Sequence, residues 1–151
     1  MAISQAMTTS FKVQILEGVH NFGSGVIRAS AAADVFKLAL YTSSATLGAA
    51  TTAYTTSDEV SSSGTNYTAG GLTLTISQAP TSTGTTAFLD FDDLTFASAT
   101  ITANGALIYN ATQGNKAVAV LAFGGDKTST AGNFTIQFPA STSTTAILRI
   151  A

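Results

Sequence analysis

The sequence predicts an all-β fold, an antiparallel β-sandwich or jelly roll of about eight strands with one short N-terminal helix. Several short stretches alternate apolar residues with threonine or other polar residues, which is the period of a half-buried strand. Clusters of glycine, serine and threonine separate these stretches at the spacing typical of sandwiches and jelly rolls. One stretch alone places its apolar residues at helical spacing, so the helix is a minor part of the prediction.

The N-terminal part divides into an arm, residues 1–9, and the start of a single domain, residues 10–151. The arm is made of small and polar residues, and we expect it to be extended and held only where it meets a partner. We predict a helix over residues 11–22, because four apolar residues recur at spacings of four, four and three. The alternation of Phe11, Val13 and Ile15 with polar residues would fit a strand instead, and Gly18 weakens a helix interior.

The rest of the chain reads as strands joined by loops. We predict strands over 35–41, 72–76, 87–91, 94–96, 100–102, 106–109, 117–123, 134–138 and 146–150. In the first of these, Phe36, Leu38 and Leu40 form the core face. We predict loops over 46–66, 80–86 and 124–133. The longest loop is either a binding loop or is packed over the sheet by its apolar residues.

Two turns are predicted from asparagine and glycine neighbours. Asn104-Gly105 predicts a hairpin, because a type I′ turn requires positive φ at both central residues. Gly114-Asn115 predicts a second turn, just before the apolar run 117–123.

The composition limits the classes of function that the chain can have. Charged residues are 9% of the chain, against about 25% in typical soluble domains, so the surface is built largely from hydroxyl and small side chains. Such a surface suits a protein that packs against copies of itself or against a scaffold; a secreted β protein is the alternative. The net charge is −2 with six scattered basic residues, which argues against nucleic-acid binding. The absence of cysteine excludes disulfides and thiolate chemistry.

The first residues lack the features of a signal peptide, and no apolar run approaches the length of about 18 residues that a membrane span needs. We therefore expect no membrane partner. A particle component that is assembled inside a cell and exposed later by lysis would combine an extracellular-type composition with the lack of an export signal.

Residues able to carry chemistry are few. We interpret the one histidine, His20, as structural, since the sequence places no partners beside it. Asp90, Asp92 and Asp93 form the one carboxylate cluster; turn formation explains them as well as Ca²⁺ binding does, and no glycine-containing calcium loop surrounds them. We expect no enzyme activity, no cofactor and no metal.

Five ordered blocks carry a resemblance to a known group of proteins: FKVQILEGVHNF, DVFKLALYTSSATLGAATTAYTTSDEV, NYTAGG, DFDDLTFASATITANGALIYNA and NKAVAVLAFGGDKTSTAGNFTIQFPA. The chain resembles small structural proteins of tailed bacteriophages and prophages. The resemblance implies a capsid cement or decoration protein in the virion, assembled in the host cytoplasm, with the major capsid protein as its partner. It also implies, by analogy, a homotrimer.

Under this hypothesis the arm and the helix are the parts that face the capsid. The residues predicted to bind the partner are Met1, Ala2, Ile3, Met7, Phe11 and Ile15. The alternative is a glycan-binding module of a tail or fibre. Its aromatic stacking faces would come from Tyr41, Tyr54, Tyr67 and Tyr109.

Overall fold

The described residues form eight strands in two antiparallel sheets. A computed structural model of the chain describes residues 2–8, 10–11, 15, 18–24 and 33–150. The strands are β1 (Ala6–Met7), β2 (Phe36–Tyr41), β3 (Leu72–Thr73), β4 (Ile76–Thr83), β5 (Thr86–Phe91), β6 (Leu94–Asn110), β7 (Lys116–Ile136) and β8 (Leu148–Ile150). The larger sheet has the order β1-β7-β6-β2-β3, and the smaller has the order β4-β5-β8. The predicted all-β fold is confirmed, in a sandwich-like form.

One long hairpin, β6–β7, is the frame of the larger sheet. Its pairing runs from Leu94 opposite Ile136 to Asn110 opposite Lys116. The connection is the turn over residues 111–115, where Gly114 and Asn115 both have positive φ. The turn predicted at this pair is confirmed.

The hairpin predicted at Asn104-Gly105 is wrong, because both residues lie inside β6. The register shifts between Ala103 and Gly105, and Asn104 Nδ2 donates to Asp126 Oδ1 at 2.9 Å across this irregularity. Glycine is required here for space: a Cβ on Gly105 would lie 2.6 Å from the Leu121 carbonyl oxygen and 2.8 Å from Ile3 Cγ2. A glycine within a strand marks a bulge or a close approach, and here it marks both.

The loop predicted over 124–133 is also wrong, because β7 continues through it to Ile136. Thr102 pairs with Thr128, and Thr95 Oγ1 and Thr135 Oγ1 share a hydrogen bond of 2.9 Å. Threonine has a strong preference for strands, and the glycines that suggested a loop sit where the register shifts.

The segment predicted as one strand over 72–76 is divided between the two sheets. Leu72 pairs with Leu38 in the larger sheet, whereas Ile76 pairs with Phe91 in the smaller one. The loop predicted over 80–86 is wrong except at residues 84–85, because β4 continues through Pro80 to Thr83 and β5 begins at Thr86. Strand β4 is an edge strand, which tolerates a proline, and it turns into β5 through Gly84 with φ of 60°.

The predicted helix, residues 11–22, lies in part outside the described residues, which omit 12–14 and 16–17. Phe11 and Ile15 have helical backbone, but His20, Asn21 and Phe22 have no regular secondary structure. Gly18 has φ of 68°, and its N–H donates to the Ile15 carbonyl at 3.1 Å. A glycine in this left-handed conformation ends a helical segment, so the helical backbone does not extend to Phe22 as predicted.

Buried side chains form two clusters on opposite faces of the larger sheet. The main cluster lies between the sheets and includes Phe36, Leu38 and Leu40, so the predicted core face of β2 is confirmed. The second cluster lies on the outer face and includes Tyr41 and Leu47. Leu47 belongs to the long loop, so this loop packs over the sheet and holds an outer layer in place.

Candidate functional site

The two sheets are joined at one side and open at the other. β3 and β4 are the edge strands of different sheets and are separated by two residues, so the chain itself connects the sheets there. β1 and β8 are the other two edge strands of the described sheets, and each pairs with a neighbour on one side only. The opening between them is therefore bordered by two strand edges.

A cavity of about 530 Å³ occupies this opening, and we call it the edge groove. Its walls come from β1, β5, β7, β8 and the segment before β8. The lining residues are Gln5, Ala6, Met7, Thr86, Ala119, Val120, Leu121, Ser143, Thr144, Ile147, Leu148 and Arg149. The edge groove thus combines backbone edges with a lining of seven apolar and five polar or charged residues.

A second cavity, of about 170 Å³, adjoins the edge groove and shares Met7, Leu148 and Arg149 with it. We call it the apolar cavity. Its further lining residues are Phe11, Ile15, His20, Phe22, Pro80, Ala87, Phe88, Leu89 and Ile150. Ile150 is 50% exposed, so an apolar side chain stands in solvent at the rim.

The structure brings three of the six predicted partner-binding residues together. Met7, Phe11 and Ile15 all line the apolar cavity, although Phe11 is only 2% exposed and forms its floor. Ile3 lies elsewhere, over Gly105 and beside Leu47. Ala2 is exposed and lines a separate shallow cavity, and Met1 lies outside the described residues.

The arm is held by this chain itself in the described residues. Ala6 pairs with Val120, and Met7 pairs with Ala119. Thr8 is fully buried; its N–H donates to the Val118 carbonyl at 3.2 Å. The arm thus supplies one border of the edge groove.

Arg149 lines both cavities and was not predicted as a site residue from the sequence. Among the described residues that line either cavity, it is the only Lys, Arg, Asp or Glu. It is exposed, and its Nη1 donates to the Thr144 carbonyl. A guanidinium group has five N–H donors, so this bond leaves others for a ligand. The available signal was an arginine alone in an otherwise apolar C-terminal strand.

His20 packs against Phe11 and hydrogen-bonds to Asn110. Its ring lies edge-on to Phe11 with centroids 4.8 Å apart, and Asn110 Nδ2 lies 3.0 Å from its Nδ1. The same Asn110 amide donates to Asp34 Oδ2 at 2.8 Å, and the N–H of Asn21 donates to that oxygen at 3.1 Å. This buried polar network fixes the segment that carries Phe22 against the end of the β6–β7 hairpin.

Two tyrosines bind Glu59: Tyr54 packs against the outer cluster, whereas Tyr67 belongs to the main cluster. The hydroxyls of Tyr54 and Tyr67 each donate to the Glu59 carboxylate at 2.7 Å. Burial, followed by this hydrogen bond, raises the pKa of both hydroxyls, so they remain donors throughout the neutral range. Tyr41, Tyr67 and Tyr109 are buried, so three of the four residues chosen as glycan-stacking faces are not exposed.

Asp90 has an unusual environment. It is 1% exposed, and its Oδ2 has no hydrogen-bond partner among the described residues. Burial raises the pKa of this carboxyl more than the N–H groups of Phe91 and Ile147 lower it, and the nearby Asp93 raises it further. No group of three or more His, Asp or Glu side chains suited to a metal ion is found in the described ranges.

Replacing Asp90 with asparagine is expected to raise the free energy of unfolding at pH 7 by on the order of 1 kcal/mol, because a buried carboxylate with only one of its oxygens hydrogen-bonded is replaced by a neutral amide. With a raised pKa in the folded state, the unfolded chain loses its proton first as pH rises from about 3.9. Wild-type stability then falls until the folded pKa is passed. The gain from Asp90→Asn should therefore shrink towards pH 4. Urea unfolding of the wild type and of Asp90→Asn from pH 4 to 8 measures this gain in the free energy of unfolding.

The matched control for this substitution is Asp92→Asn, because Asp92 is exposed and neighbours the same strand. We expect its free energy of unfolding to follow the wild type across the pH range. A gain for Asp90→Asn that did not vary with pH would contradict the explanation.

Comparison with known protein families, characterised proteins and solved structures gives no match. In the part of the chain that the structure describes, no helix has the length and hydrophobicity that crossing a membrane requires. The chemistry of the edge groove is therefore the basis for proposing a function.

Proposed function

We propose that the chain is a structural protein of a tailed-bacteriophage particle, a cement or decoration protein that binds the major capsid protein through the edge groove. The observation that carries this proposal is the pair of edge strands, β1 and β8, on either side of the edge groove. Edge strands expose unpaired backbone groups and readily pair with another chain. The low charge content of the chain, 9%, supports a surface that ends up packed against other subunits.

Binding would combine apolar contact with pairing of strand edges. Each such contact is small, at about 25 cal/mol per Å² of apolar surface, but it is repeated at every site on a shell. We propose a homotrimer at local threefold positions, by analogy with decoration proteins, and assembly in the host cytoplasm. The chemistry required is binding only, and neither an enzyme activity nor a cofactor is part of the proposal.

The copy number of the chain in purified particles tests this function. We expect quantitative gel analysis or mass spectrometry to give a number comparable to that of the major capsid protein. A handful of copies would assign the chain to the tail instead. Its absence from particles that are otherwise complete would overturn the proposal.

A further inference from the structure

We propose that the segment bound in the edge groove is an extended strand that carries a carboxylate, and that it pairs with the free edge of β8 while Arg149 binds the carboxylate. This inference rests on the proposed function and adds the chemistry of the partner segment. The edge groove supplies three elements for this purpose: a strand edge, apolar lining residues and one cation.

The strand edge defines the shape of the ligand. Leu148, Arg149 and Ile150 pair with β5 on one side, and their other side faces the opening. An added strand binds such an edge through backbone hydrogen bonds, while its alternate side chains enter pockets that provide specificity. β8 has only three residues, so backbone pairing alone is limited and side-chain contacts must contribute.

The apolar residues that line the edge groove indicate that the bound strand carries apolar side chains. Ala119 and Leu121 lie on the wall towards β7, and Met7 and Leu148 lie where the edge groove meets the apolar cavity. A volume of about 530 Å³ accommodates a few residues of extended chain, and the adjoining 170 Å³ accepts one apolar side chain.

The positive charge of Arg149 indicates which charged group the bound strand carries. Among the described residues that line either cavity, no carboxylate lies beside Arg149, and its Nη1 donates to the neutral Thr144 carbonyl. Arginine pairs with carboxylates through two parallel N–H···O bonds, which are stronger than bonds between neutral groups. The complementary side chain on the bound strand is therefore an aspartate or a glutamate.

The same charge argues against pairing of β8 with β8 of a second copy of the chain. Arg149 is the middle residue of the three-residue strand β8. Antiparallel pairing of β8 with its counterpart in another copy, in the register that pairs all three residues, would place the two Arg149 side chains opposite each other. Like charges directly opposite in a sheet destabilise the pairing. A carboxylate-bearing segment of a different protein satisfies both the edge and the charge.

The experiment uses the full chain on reconstituted particles. The variant Arg149→Glu should reduce occupancy at least tenfold, and Arg149→Gln should reduce it less. The matched control is Lys127→Glu, which makes the same charge change at an exposed residue of β7 that does not line the edge groove. Equal occupancy for Arg149→Glu and Lys127→Glu would overturn the role of Arg149.

A photocrosslinking residue at position 144, which is exposed at the edge groove, identifies the occupant directly in an otherwise unchanged chain. We expect crosslinks to a segment of another protein that contains an aspartate or glutamate within two residues of the linked position. Crosslinks only between copies of this chain, or to a segment without a carboxylate, would overturn the inference. Absence of the wild-type chain from particles would instead be a failure of the proposed function, so the two failures are distinguishable.

Discussion

Replacing Gly71 with alanine is expected to remove much of the folding stability, with a loss on the order of 4 kcal/mol in the free energy of unfolding. Gly71 has φ of 72°, and a Cβ at this position would lie 1.7 Å from the Leu38 carbonyl oxygen. That oxygen belongs to β2, at the centre of the main buried cluster, so it has no room to move. Since whole domains are stable by only about 5 to 15 kcal/mol, the clash made by this one methyl group would remove a large fraction of the free energy of unfolding. Urea unfolding of purified protein measures the loss.

Gly114 provides the matched control for this substitution. Its φ of 68° is almost the same, but a Cβ there would meet nothing within 4 Å. Gly114→Ala should therefore show only the conformational cost of positive φ, about 1 kcal/mol. Equal losses for the two variants would mean that the contact with β2 is not the cause.

Replacing Thr86 with tryptophan is expected to reduce binding to particles at least tenfold while leaving the fold intact. Thr86 lies at the start of β5, is half-buried and lines the edge groove. A bulky side chain there would occupy space that the added strand needs. Because the position is outside the buried clusters, we expect a change below about 1 kcal/mol in the free energy of unfolding. Co-sedimentation with particles that lack the chain measures binding.

Thr102→Trp is the control for this variant. Thr102 is an exposed residue of β6, and it lines neither the edge groove nor the apolar cavity. The Thr102→Trp variant should bind particles as the wild type does. A similar loss for both variants would indicate a general effect of an added tryptophan, and a normal affinity for Thr86→Trp would argue against the edge groove as the binding site.

Much of the fold follows from local patterns. Strand β2 could be predicted because Phe36, Leu38 and Leu40 alternate on the core face, and the turn at Gly114 because glycine and asparagine both tolerate positive φ. Asn104-Gly105 has the same local chemistry as a turn. Its actual role depends on Leu121, which is distant in sequence and whose carbonyl oxygen approaches Gly105 in the folded sheet.

The candidate site was predictable only in part, for a related reason. Met7, Phe11 and Ile15 could be selected from the sequence as apolar residues near a terminus, and they do line one cavity. Arg149 could not be placed with them, because the two ends of the chain meet only through the order of strands in the sheets. No local pattern states which strands are edges, so the opening between β1 and β8 is a property of the whole topology.

Hydrogen–deuterium exchange of the free and the particle-bound chain tests the central claim, that the free strand edges at the groove are where this protein binds. Exchange is fast where backbone groups face water and slow where they are paired. We expect the amides of residues 147–150 to exchange more slowly on the particle, and those of residues 94–103, in the distant half of β6, to be unchanged. Unchanged exchange at residues 147–150 on the particle would contradict the claim.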